Sequence, residues 1–547
     1  MRSLLASAAA LLTASLPLAT HSAPTVTIAQ GALAGVAVAN GAAVFKNVPY
    51  AEPPVGANRW RPPVPAKGWD GVRDATQFGA ACPQPPLPAD SIYLDTPPRM
   101  SEDCLSLNVW KPRNARKAPV MVWIHGGSLI YGYSGSPMYD ASALTARGVV
   151  VVTINYRLGI LGFLAHPELS AESAHGSSGN YGLLDQIEAL RWVQRNIAAF
   201  GGDPSNVTIF GESAGALSVL ELLASPLARG LFHKAIAQSG GMLSLPDLKT
   251  ATNGLPSSEQ IGRFVAAALK APNVAALRAM DADMLVKAAN AGGFAASATV
   301  DGWVLDHQLV DTFDRGEQAR VPTLAGFNRD EIRTLPTFAP PVPKDRATYV
   351  AGIKARYVDL ADVFLKFYPA DDLEGSVLTA ARDGTFGWGM RRLAEKQEAS
   401  GAPAYLYFFE HTYPAADRKG LGAFHAVEVP YMFGRIGQTL PEAWVAPPDT
   451  PDERALSATL VTYWTNFART GSPNGGGEVQ WPRYGASSAY LAIGHQPVAG
   501  VDPMGGAYAL HEDVVCRRRA AGTQPWIANI GLSAAALPPP SDRCKRK

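Results

Sequence analysis

The sequence predicts an α/β protein in which a central, mostly parallel, twisted sheet is covered by helices on both faces. Three observations point there. Val120–Ile124, Val149–Ile154, Val207–Phe210 and Leu324–Phe327 are short, continuously apolar runs rather than alternating ones, as strands buried on both sides require. Helical periodicity lies between such runs: Tyr181–Phe200 repeats Leu184, Ile187, Leu190, Val193 and Ile197 along one face. Finally, 47% hydrophobic and 17% charged residues over 547 positions supply a large core and argue against a disordered chain.

From the N-terminus, residues 1–23 combine a short basic start, an apolar run from Leu4 to Leu18 broken by Pro17, and small residues at Ser22 and Ala23. This is the pattern of a signal peptide, and the run is too short and interrupted for a membrane anchor. The expected product is secreted or periplasmic, with a single domain over 24–532. Four cysteines suit an oxidising compartment, and chain proximity favours Cys82 with Cys104 and Cys516 with Cys544. The Pro-rich segment 335–343 reads as a surface excursion, about 330–402 as a helical insertion roofing a pocket, and 533–547 as an extended C-terminal tail.

The net charge is only +1, so a nucleic-acid or anionic-membrane partner held by the overall field is not expected. The basic runs Arg517-Arg518-Arg519 and Lys545-Arg546-Lys547 read as solvated charges.

Gly211-Glu212-Ser213-Ala214-Gly215 follows the strand Val207–Phe210 and precedes a helical run, Ala216–Ala224. The five-residue pattern alone is weak; its place between strand and helix gives it mechanical sense. A serine on that turn is held above the sheet, and the glycines two residues to either side permit the turn. Serine is a poor nucleophile without a base, and the base needs an orienting carboxylate. Of the six histidines after Ser213, His425 follows the strand Ala404–Phe409 in a loop-like segment and is favoured as base. Asp330 and Glu331 both follow the strand Leu324–Phe327, and the residues themselves do not choose between them. Gly126 and Gly127, after Val120–Ile124, can aim amide N–H groups at an oxyanion, with Ala214 as the third donor.

Together with Asn47-Val-Pro-Tyr-Ala51, Ser101-Glu-Asp-Cys-Leu-Ser-Leu-Asn-Val-Trp110, Asn155-Tyr-Arg-Leu-Gly159, Gly179-Asn-Tyr-Gly-Leu-Leu-Asp-Gln186, Gln238-Ser-Gly240 and Asn466-Phe-Ala-Arg-Thr-Gly471, these segments resemble, in order, the type-B carboxylesterase and cholinesterase family of α/β-hydrolases. The resemblance implies Ser213 as nucleophile, Glu331 rather than Asp330 as acid, and His425 as base. It also implies a Cys82–Cys104 disulfide, an Arg59–Glu102 ion pair, and a supporting shell of Glu212, Ser239 and Glu428. The implied activity is hydrolysis of a small-molecule ester through an acyl-enzyme; the alternatives are an acyltransferase and a non-catalytic binding protein of the same fold. No metal or other cofactor is called for, and a monomer is expected.

The sequence departs from the family at Ser128 and Leu129, where a further Gly and an aromatic are usual, and at Ala426, where Gly is usual. No Trp stands between Cys82 and Cys104 to face a quaternary ammonium, and Tyr93 is the one aromatic there that could substitute. Trp303, Phe386, Trp388, Tyr407, Phe408 and Phe409 are candidates for a pocket wall or for ordinary core.

Overall fold

The computed structural model describes residues 23–38, 41–526 and 531–544; the expected signal peptide falls almost wholly outside them. Among the described residues, fourteen strands form two sheets: β1 (Thr25–Ile28), β2 (Gly31–Ala34), β3 (Val36–Ala37), β4 (Ala43–Pro49), β5 (Val72–Asp74), β6 (Ser106–Lys111), β7 (Ala118–Ile124), β8 (Val150–Ile154), β9 (Gly202–Glu212), β10 (Lys234–Gln238), β11 (Thr323–Asn328), β12 (Ala404–Phe409), β13 (Ala489–Ile493) and β14 (Pro497–Val501). A small sheet has the order β1-β2-β5; the main sheet has eleven strands in the order β14-β13-β12-β11-β10-β9-β7-β8-β6-β4-β3. Its centre, from β8 to β13, is parallel, and antiparallel strands close both flanks.

The continuous apolar runs are explained by burial on both faces. In β7, Val120, Val122 and Ile124 enter one core with the helices Tyr181–Asn196 and Ala214–Ala224, while Met121 and Trp123 enter a second with the helix Pro451–Thr470. The predicted helix 181–200 ends at Asn196, and Ile197–Phe200 tightens into a 3₁₀ turn before the left-handed Gly201. The expected insertion is helical over Arg346–Tyr357, Ala361–Phe367, Leu373–Arg382 and Trp388–Ala399, with a π-helical turn at Asp383–Gly387.

Both cysteine pairs, Cys82–Cys104 and Cys516–Cys544, are bonded. One expectation needs correction. Arg517 and Arg518 are buried in the helix Tyr508–Ala521 rather than solvated: Arg517 pairs with Asp359 and Asp513, and Arg519 pairs with Asp311 and Asp314. A helix end gathers cations when carboxylates from distant segments converge on it. The described part of the tail is extended but not free, because Leu537 is buried and its N–H donates to Arg356 C=O, and Cys544 is covalently held.

Candidate active site

Parallel strands deliver their C-terminal ends to one edge of the sheet, and the loops there bring the candidate residues together. Ser213 joins β9 directly to the helix Ala214–Ala224 with φ 57° and ψ −123°, a strained conformation for a non-glycine residue. Its N–H donates to Gln238 C=O at 2.8 Å. The flanking glycines are needed because the turn presses on β7: a Cβ on Gly215 would lie 2.1 Å from Ile124 O, and one on Gly211 would lie 2.6 Å from Gly215 itself. The helix starts at Ala214, two residues earlier than the helical run read from the sequence, so its amide end adjoins the serine.

Gly126 abuts this turn, with only 3.1 Å between an added Cβ and Ser213 Cβ. Gly127, Ser128 and Leu129 follow with φ of 104°, 56° and 59°, so the departures at 128 and 129 occupy left-handed backbone without glycine. Gly127 C=O accepts from both Ile130 and Tyr131 N–H groups, which closes the loop over the glycines. His125, buried and stacked on Tyr156, accepts no proton near neutrality; burial lowers it to about 4.

Glu331 is fully buried. Its Oε1 accepts from Ser239 Oγ at 2.6 Å and Asn328 N–H at 2.7 Å, and its Oε2 accepts from His425 Nδ1 at 2.5 Å. A carboxylate with these partners only accepts, so the proton sits on Nδ1 and leaves Nε2 with a free lone pair in the neutral ring. Asp330 points elsewhere: it accepts from Ala423 N–H and is ion-paired with Arg329 and Arg333. The geometry thus separates the two adjacent carboxylates.

Nε2 of His425 lies 3.1 Å from Glu212 Oε1, which receives no aligned hydrogen bond; among the described residues no hydrogen bond joins Nε2 to Ser213 Oγ. Burial alone would lower the imidazole, but Glu212 and Glu331 outweigh it and hold the proton on up to about 9. Burial raises Glu212 in turn, His425 opposes this, and Glu428 and Glu331 add to it. Glu428 does not reach the imidazole: Gln238 and Asn328 side chains donate to it, and Asn328 also donates to Phe424 C=O. It braces the ends of β10 and β11 and the segment leading to His425. Ser239 and Glu212 touch the imidazole–carboxylate pair; Glu428 acts one contact further out.

Of the six aromatic candidates, Phe386 reaches the site, with its ring 5.2 Å from that of His425. Tyr407 packs on Trp464 and Trp481, Phe408 on Phe327, Phe409 on Tyr431, Trp388 beside Arg392, and Trp303 on the distant His175. Arg59 makes the expected two-pronged contact with Glu102, at 2.7 Å for both bonds, beside the Cys82–Cys104 bridge. Cavities of about 530 Å³, between Asp311, Arg392 and Glu512, and about 300 Å³, between Trp60, His175 and Trp303, lie away from Ser213, so chemistry rather than size singles out this site.

Such a sheet, with a serine on a sharp strand-to-helix turn and a histidine–carboxylate pair beside it, defines an α/β-hydrolase. The chain belongs to the carboxylesterase family, whose model matches residues 22–506, and it is a carboxylic ester hydrolase. It is 38% identical over 473 residues to a fumonisin B1 esterase of Sphingopyxis macrogoltabida, spanning 83% of this chain and 84% of that one. It is 37% identical over 451 residues to the para-nitrobenzyl esterase of Bacillus subtilis (strain 168), spanning 81% and 89%. A solved PNB esterase structure superposes with a TM-score of 0.76 at 34% identity, covering 88% of this chain and 97% of that one.

Proposed function

We propose that the enzyme hydrolyses small carboxylic esters by way of an acyl-enzyme, with Ser213, His425 and Glu331 as its triad. The observation that carries this reading is the chain Ser239–Glu331–His425 closing, at 2.6 and 2.5 Å, beside a serine held in a strained turn. Ser213 Oγ attacks the ester carbonyl while Nε2 of His425 takes its proton. Glu331, already bonded to Nδ1, stabilises the imidazolium, and the N–H groups of Gly126, Gly127 and Ala214 receive the oxyanion. The imidazolium returns the proton to the departing alcohol. Water repeats the sequence on the acyl-serine and releases the acid. Glu212, kept from full ionisation by burial, places less negative charge beside the developing oxyanion than a free carboxylate would.

The two disulfides fit an extracellular or periplasmic location, and residues 1–23 are proposed as the signal that delivers the chain there. No helix among the described residues is long and apolar enough to cross a membrane. The test is hydrolysis of p-nitrophenyl esters of graded acyl length, with a pre-steady-state burst of p-nitrophenol equal to the enzyme concentration. Ser213→Ala should abolish both burst and turnover. Turnover by a folded Ser213→Ala variant would overturn the assignment.

A further inference from the structure

Tyr93 lies in the loop closed by Cys82–Cys104, far in sequence from every residue of the triad. Its hydroxyl is 3.0 Å from the carbonyl oxygen of His425 and 2.6 Å from Thr334 Oγ1. The hydroxyl owns one proton, and a carbonyl can only accept. The proton therefore goes to His425 C=O, and Thr334 donates its own to the tyrosine oxygen. Thr334 ends the 3₁₀ turn that begins at Glu331, so a single phenol joins the segment carrying the acid to the peptide that follows the base. Two residues on, Asp95 accepts from Tyr133 and Ser136, which anchors the same loop behind the oxyanion glycines. The Tyr93 ring is braced on Trp444, at 5.9 Å between centroids.

The peptide being held is an awkward one. Ala426 has φ 67°, left-handed backbone that an L-residue with a Cβ adopts at a cost and glycine adopts freely. The plane of the His425–Ala426 peptide fixes where the imidazole leaves the chain. We propose that Tyr93 is a positioning residue for the base, its hydroxyl holding the His425–Ala426 peptide in the left-handed turn that Ala426 would otherwise tend to leave. The proposal rests on His425 being the base.

Tyr93→Phe removes both hydrogen bonds of the hydroxyl and keeps the ring, so kcat should fall about tenfold with KM little changed and a modest drop in melting temperature. In an Ala426→Gly background the turn no longer needs the tie, and the loss on Tyr93→Phe should shrink to about two- or threefold. A purely structural role for the ring would show no such dependence on residue 426. An unchanged kcat in Tyr93→Phe, or an equal loss in both backgrounds, overturns the proposal. If Tyr93→Phe does not fold, Thr334→Val keeps the tyrosine and should show a smaller loss with the same dependence on Ala426→Gly; indifference to that background counts against the tie equally. His425→Gln separates the two readings. Its retention of hydrolysis would bring down the triad assignment, whereas an inactive His425→Gln beside an unaffected Tyr93→Phe would remove the tie alone.

Discussion

Replacing Glu212 by Gln should move the acid limb of the pH–rate profile downward. In the wild type, the imidazolium of His425 is favoured by Glu212, 3.1 Å from Nε2, and by Glu331, and these hold it up at about 9 against the effect of burial. Catalysis needs the neutral ring, so kcat/KM should rise with pH through a midpoint above the ordinary histidine value of about 6.5. Glu212→Gln removes the largest contribution holding the proton on. The imidazolium then loses its proton at lower pH, and the base becomes available earlier. Coulomb's law at 3.1 Å gives about 1.3 kcal/mol in water and about 5 kcal/mol at an effective dielectric of ~20. Because burial keeps Glu212 partly neutral, the smaller figure applies, a downward displacement of about one pH unit or slightly more. The assay is kcat/KM for p-nitrophenyl acetate between pH 5 and 9.5, with Ser213→Ala as the blank at each pH. A midpoint that stays put, or that rises in Glu212→Gln, would refute the electrostatic argument.

Glu331→Ala should lower kcat by at least about a hundredfold, because it removes the carboxylate that orients the base; Asp330→Ala, which loses a tie to Ala423 and two surface pairs, should stay within about tenfold, and equal losses would reject the assignment. Glu221 is buried with an unpartnered Oε1, and burial raises its carboxyl to about 8. The folded state thus binds a proton that the unfolded chain releases near the ordinary glutamate value of 4.5, so its stability is complete below that value and drains away as pH rises through about 8. Melting temperature should therefore fall less steeply from pH 5 to pH 9 in Glu221→Gln than in the wild type, and parallel curves would show that Glu221 does not couple to folding. Opening Cys82–Cys104 by a double Ser substitution frees a loop of 22-residue separation and should lower stability by about 3 kcal/mol in denaturant titration.

The sheet and the strained turn at Ser213 were legible because their signals are local. Both faces of β7 are buried, so the strand reads as one apolar run, and the glycines around Ser213 follow from the 2.1 Å approach to Ile124. Asp330 and Glu331 could not be separated from the residues alone, since one step into the 3₁₀ turn after β11 sends one side chain to His425 and its neighbour to Ala423. Resemblance to a family resolved that choice. Tyr93 was read as an aromatic of the Cys82–Cys104 loop and Phe386 as pocket wall or core, neither of them as a neighbour of His425. Their proximity to His425 depends on a disulfide loop and a π-helical turn brought in from either side. Arg517 and Arg519 were misread for a similar reason: Asp359, Asp311 and Asp314, which pair with them, lie about 160 to 210 residues away in the chain.

The separation of the proposed triad along the chain has a consequence for how activity appears during synthesis. Ser213 leaves β9, Glu331 follows β11, and His425 follows β12, which pairs only with β11 and β13. A nascent chain whose first 330 residues have emerged carries Ser213 and the glycines beside it but neither Glu331 nor His425. On the proposed mechanism, hydrolysis switches on only when the last third has docked, so the return of ester cleavage on refolding times the arrival of β12.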